Sequence, residues 1–136
     1  MAYYFTTLRP VGIGSCPRGF KWYNNFDRRI EVPCINHRAW GVIEYENELT
    51  ENEANAYDLV KAELEWITCY RDLYEPDHTC VDNLMDILVP VDWLKENCER
   101  LTGYNYKTFN REYTADDTEA LYAEAEKNNL IYGRVF

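Results

Sequence analysis

Long apolar runs are missing from this chain of 136 residues. No stretch approaches the roughly 20 consecutive apolar residues of a membrane-spanning helix, which excludes an integral helical membrane protein. Met1 to Leu8 lacks the basic start and cleavage site of a secretory leader, so a cytoplasmic protein is expected. Paired cysteines are missing too. Five cysteines at irregular spacing, an odd number with no CxxC, do not make a disulfide framework and suit reduced thiols or a metal. The one glycine-rich stretch, GIGSCPRG, has neither the Walker spacing with its Lys-Ser/Thr nor the dinucleotide fingerprint, so it is not read as a phosphate loop. Repeats, linkers and low-complexity tracts are also absent.

Basic residues are in deficit: 14 Lys and Arg face 24 Asp and Glu, a net charge of −10. Such a balance disfavours direct nucleic-acid binding and favours a basic protein partner, steering encounter more than setting final affinity. The deficit is uneven, since residues 1–41 hold six bases against two acids and the remainder eight against 22.

What is present points to a folded domain. Hydrophobic content of 46% and aromatic content of 15% exclude general disorder. The length suits one domain over 1–136, strand-rich and basic over 1–48, helix-rich and acidic over 49–136. Twelve tyrosines, apolar bodies with polar tips, suit a half-exposed sheet or a contact surface.

Ala2 to Leu8 reads as a first strand, followed by a loop punctuated by Pro10, Gly12, Gly14, Pro17 and Gly19. Phe20–Tyr23 and Arg28–Val32 are short strand candidates around an Asn-Asn-Phe-Asp turn, and Arg38–Glu46 is the clearest strand. Thr50 with Glu53 forms a reciprocal capping box, and apolar residues at helical spacing from Tyr57 to Tyr74 predict one long central helix over Leu49–Tyr74. Cys80–Leu88 is a short helix candidate. Pro90 opens a further helix that Gly103 ends, and Thr114 caps a last one over Ala115–Lys127. Leu130–Phe136 is a final strand. The fold class is therefore α+β: a small, mostly antiparallel sheet packed on the central helix and a helical C-terminal half.

Two groups of residues have metal-ligand chemistry. Cys69, His78, Cys80 and Cys98 surround the turn after the central helix and could hold one structural zinc ion; Cys16, Cys34 and His37 form a lesser set. Without a paired CxxC, the alternative is that the cysteines are small core residues. Cys34 with His37 is the one compact thiol–imidazole pair, but no oxyanion-hole loop accompanies it, and no two carboxylates are marked as an acid–base pair. A non-enzymatic protein is expected.

The segments TLRPVGIGSCPRGF, NNFDRRIEV and RAWGVIEYENELTENEANAYDLV resemble small proteins of phages and conjugative elements in Gram-positive gut bacteria, over about the first 60 residues. The resemblance supplies no catalytic residues. By context it implies an inhibitor of host defence, similar to the anti-CRISPR class, whose partner would be a basic nucleic-acid-binding host protein such as a CRISPR effector nuclease. Two acidic patches could act as a DNA mimic by competing with phosphates in a basic groove: Glu44, Glu46, Glu48, Glu51 and Glu53, and Glu112, Asp116, Asp117 and Glu119. The competing reading is a binder or sponge for a nucleotide signal, using Arg9, Arg18, Arg28, Arg29 and tyrosines. The oligomeric state is left open.

Overall fold

A computed structural model of the chain describes residues 1–74, 80–106, 115–128, 130 and 132, with the backbone alone for 69–74, 80–85 and 115–119. The chain divides into two compact units, Met1–Glu63 and Leu64–Phe136. The composition boundary expected near residue 48 falls inside the first unit. Both units are α+β, with antiparallel sheets and, across the described residues, three α-helices.

The first unit is a four-stranded antiparallel sheet of β1 (Ala2–Thr6), β2 (Trp22–Val32), β3 (His37–Tyr45) and β4 (Leu59–Ala62), in the order β2-β3-β1-β4. All five residues of β1 are buried, as fits a central strand covered on both faces. On one face Ala2, Tyr4, Ile43, Tyr45 and Leu59 pack with Val11, Cys16 and Ala54. The two short strands expected on either side of Asn24–Asp27 are one strand, β2, whose register against β3 shifts between Asn25 and Ile30. A bulge absorbs the irregular sequence that had read as a turn.

The long central helix is not formed. Its start is as expected: Glu53 N–H donates to Thr50 Oγ1 at 3.1 Å and Thr50 N–H to Glu53 Oε1 at 3.3 Å. The helix, α1, nevertheless ends after Glu51–Ala56. Asp58 takes a left-handed turn (φ 56°), its carbonyl accepting both the Thr7 hydroxyl at 2.8 Å and the Thr7 N–H at 3.3 Å, and the chain leaves as β4 against β1. Beyond Glu63, the residues read as helical stripes form β5 (Leu64–Tyr74), paired with β6 (Cys80–Pro90), where a short helix had been expected. Trp66, Ile67, Thr68 and Tyr70 are β-formers, and a matching β-rich segment is within reach to pair with them.

In the second unit, α2 (Val91–Thr102) and α3 (Ala115–Lys127) pack on the β5–β6 hairpin. Ile67, Ile87, Val89, Leu94, Cys98 and Leu121 form its core. Gly103 ends α2 in the left-handed conformation (φ 82°), its N–H bonded to the Glu99 carbonyl, as the sequence indicates. Thr114 and most of Leu130–Phe136 lie outside the described residues. Tyr132 is buried and its N–H donates to the Leu88 carbonyl at 3.2 Å. No described helix is long and apolar enough to cross a membrane.

Candidate partner-binding surface

The loop between β1 and β2 has no regular structure, yet side chains from across the first unit hold it. Asn25 Oδ1 accepts the Val11 N–H at 2.7 Å and Asn25 Nδ2 donates to the Val11 carbonyl at 3.0 Å. Ser15 Oγ accepts the Gly12 N–H at 2.6 Å and donates to the Gly12 carbonyl at 2.8 Å. The Tyr45 hydroxyl donates to the Pro17 carbonyl at 2.6 Å. Burial above all, then the adjacent Cys16 thiol, with Glu53 and Tyr57 adding, pushes the Tyr45 phenol well above its usual range, so this anchor stays protonated.

Room for the Asn25 clamp comes from Gly41 on β3: a Cβ there would meet the Asn24 carbonyl oxygen at 2.7 Å and Asn25 Oδ1 at 2.8 Å. On this scaffold the loop presents Ile13 fully to solvent, between Gly12 and Gly14, and exposes Phe20, which meets Tyr23 edge-on at 5.2 Å. A held loop with an apolar tip is a candidate contact surface. The sequence showed the loop's punctuation but not the clamps, which come from residues up to 28 positions away.

The first acidic stretch runs on from β3, whose last residue, Tyr45, holds the loop at Pro17. Glu44 is buried within β3 and is not part of a surface. Glu46, Glu48, Glu51 and Glu53 are exposed, but they follow the strand and do not share one of its faces. Glu48 is paired with Lys61 at 2.8 Å, and Glu53 closes the helix cap. In the second stretch, Asp116, Asp117 and Glu119 fall within the first five residues of α3, and Glu112 lies outside the described residues. The first unit carries seven Lys and Arg against nine Asp and Glu, and the second seven against 15, so the acidic excess belongs mainly to the second.

The cysteines are dispersed. Cys80 stands opposite Tyr74 and Cys69 opposite Met85, five ladder positions apart, or roughly 16 Å along the hairpin. Thiolates sharing one zinc ion lie about 4 Å apart. Cys98 is fully buried, its thiol donating to the Tyr104 carbonyl at 3.3 Å, and burial pushes that thiol up. His78 lies outside the described residues. In the other set, Cys16 is beside Tyr45 at one end of β3, whereas His37 stands at the other end. No cluster of three or more His, Cys, Asp or Glu suited to a metal occurs among the described residues.

Residues 1–63 match the family model described as "Defence against restriction A C-terminal". The match ends where the first compact unit ends, at Glu63, and so takes in the whole sheet, the clamped loop and the first acidic stretch. It names restriction where the resemblance read from sequence pointed to CRISPR inhibitors. No curated protein and no solved structure matches the chain.

Proposed function

We propose that this protein counters a host restriction system of bacteria by binding a protein of that system, without catalysis of its own. The observation that carries this reading is the agreement between the matched segment and a structural unit: the likeness to a defence-against-restriction family covers one complete sheet with its loop. The contact surface is the clamped loop bearing Ile13 and Phe20 together with the exposed acids Glu46, Glu48 and Glu51. The apolar tip supplies buried area. The carboxylates occupy phosphate positions in the basic groove of a nucleic-acid enzyme, so protein and DNA compete for it. The acids of the second unit reinforce the attraction at longer range.

Transformation tests the reading. Unmodified plasmid is introduced into restriction-proficient and restriction-deficient strains, each with and without the chain. The protein should bring the efficiency in the proficient strain toward that of the deficient one. Soluble protein at comparable levels with no change in the ratio would remove the proposal.

A further inference from the structure

The acidic total conceals a basic corner. β2 and β3 meet through the 3-10 turn Pro33–Ile35, and the end of this hairpin encloses an open cavity of about 560 Å³. Arg29, Arg38 and His37 line it, with Asn36, an apolar base of Val32 and Pro33, and a single carboxylate, Glu31. None of these residues belongs to the contact surface described above.

Two hydrogen bonds orient the lining side chains. Arg29 Nη2 donates to the Thr7 carbonyl at 3.0 Å, which holds the guanidinium in place while engaging only one of its five N–H groups. His37 Nδ1 lies 2.7 Å from the Arg38 carbonyl. A carbonyl only accepts, so Nδ1 carries the proton, and in the neutral ring Nε2 is an acceptor that offers a phosphate oxygen no hydrogen; the two guanidinium groups are the donors of this corner.

Glu31 stands where an anion would bind. Its Oε1 is 3.5 Å from Arg38 Nε, and the two side chains are 80% and 62% exposed, so the pair holds weakly. A phosphate group offers the Arg38 fork two oxygens in place of this one contact. No aromatic ring is among the described lining residues, so a nucleobase would find nothing to stack on. An open, basic hairpin end without a stacking platform suits a nucleic-acid backbone better than a free nucleotide.

We infer that the end of the β2–β3 hairpin is a phosphodiester-binding site that takes the backbone of double-stranded DNA through Arg29 and Arg38, with Glu31 as an internal competitor for Arg38. The chain then touches DNA directly in spite of its net charge. This goes beyond the proposed anti-restriction role and does not depend on it.

Fluorescence anisotropy of a labelled 20-base-pair duplex, titrated with the full chain at low salt, tests the site. Affinity should fall as salt rises, with a log–log slope near −2 for about two neutralised phosphates. R38A should weaken binding by about three- to tenfold, and E31Q should strengthen it by a similar factor, because it removes the competitor. Both positions are exposed, and unchanged thermal melts would show that the variants fold. Competition with adenosine monophosphate distinguishes the phosphate source: displacement of the duplex at a lower concentration than unlabelled DNA keeps the site and reassigns its ligand to a nucleotide. Absence of binding to both probes by the folded chain, or duplex affinity indifferent to R38A and E31Q, overturns the inference. Hairpin variants that lose protection in transformation, while the wild-type chain binds no DNA, overturn it in favour of a protein contact. Protection without DNA binding removes this site alone, and DNA binding without protection removes the proposed function alone.

Discussion

The Asn25 side-chain amide is bonded to both backbone groups of Val11, accepting its N–H at 2.7 Å and donating to its carbonyl at 3.0 Å. A single side chain at a bulge in β2 thereby fixes the loop that carries Ile13. A loop without helix or sheet must satisfy its backbone polar groups by side chains or water, and here much of that work falls to Asn25, Ser15 and Tyr45.

Replacing Asn25 by Ala should therefore destabilise the first unit by about 1–3 kcal/mol, the cost of leaving part-buried backbone groups unsatisfied. Hydrogen exchange distinguishes this from a general loss of stability. The Val11 amide should lose protection well before the amides of β1 and β3; unchanged Val11 exchange would refute the clamp.

Gly41→Ala should cost about 1–3 kcal/mol by overpacking, because its Cβ would lie 2.7 Å from the Asn24 carbonyl oxygen, which belongs to a paired strand and cannot simply rotate away. Part of that clash is with the Asn25 side chain, so the Gly41→Ala, Asn25→Ala pair should be non-additive in denaturant melts.

Reversing Glu46, Glu48 and Glu51 to Lys should lower protection against restriction and weaken association with the host protein. Association of the wild-type chain should also weaken as salt rises, since exposed charges are screened over about 8 Å at physiological ionic strength. Protection that survives the triple reversal and is insensitive to salt would assign the contact to Ile13 and Phe20 instead.

Tyr45 makes stability sensitive to alkali. Its phenol is pushed above the usual value near 10 in the folded state, by burial first and the Cys16 thiol next. The contribution is complete below the unfolded pKa of about 10 and is lost as pH rises beyond it, because the unfolded chain releases the proton that the folded chain retains. Between about pH 9 and 11, the wild type should lose stability more steeply than Tyr45→Phe, measured by urea denaturation. Parallel slopes would mean that the hydroxyl is not held protonated.

Elemental analysis of protein purified without an affinity metal should find less than about 0.2 zinc per chain, since the β5–β6 ladder keeps Cys69 and Cys80 roughly 16 Å apart. Stoichiometric zinc, lost in Cys80→Ser, would require a different pairing of that hairpin.

Several features were legible because their causes are local. The Thr50–Glu53 capping box, Pro90 before α2 and Gly103 after it each depend on a few neighbouring residues, and the structure contains all three. β1 and β3 were legible from dense β-formers, and the Ala115–Lys127 helix from its own span. Glu44 was misplaced because a strand residue shows its spacing in the sequence but not which face is covered; against Tyr3 and Trp22 it is buried.

The segment from Tyr57 to Tyr74 shows where sequence stops deciding. Its apolar residues satisfy a helical period, and a correct cap precedes them, so local information favoured a long helix. Capping determines where a helix starts and nothing about how far it runs. Its end was set by partners distant in the chain: Thr7 holds the Asp58 turn, β1 pairs with β4, and β6 pairs with β5 along eleven positions. By itself the sequence determined the α+β class, the uneven charge and the helix caps, because composition and short-range hydrogen bonding carry them. Tertiary structure alone decided the strands beyond Asp58, the clamping of the loop and the convergence of Arg29, His37 and Arg38, because each needs groups that only the folded sheet brings together.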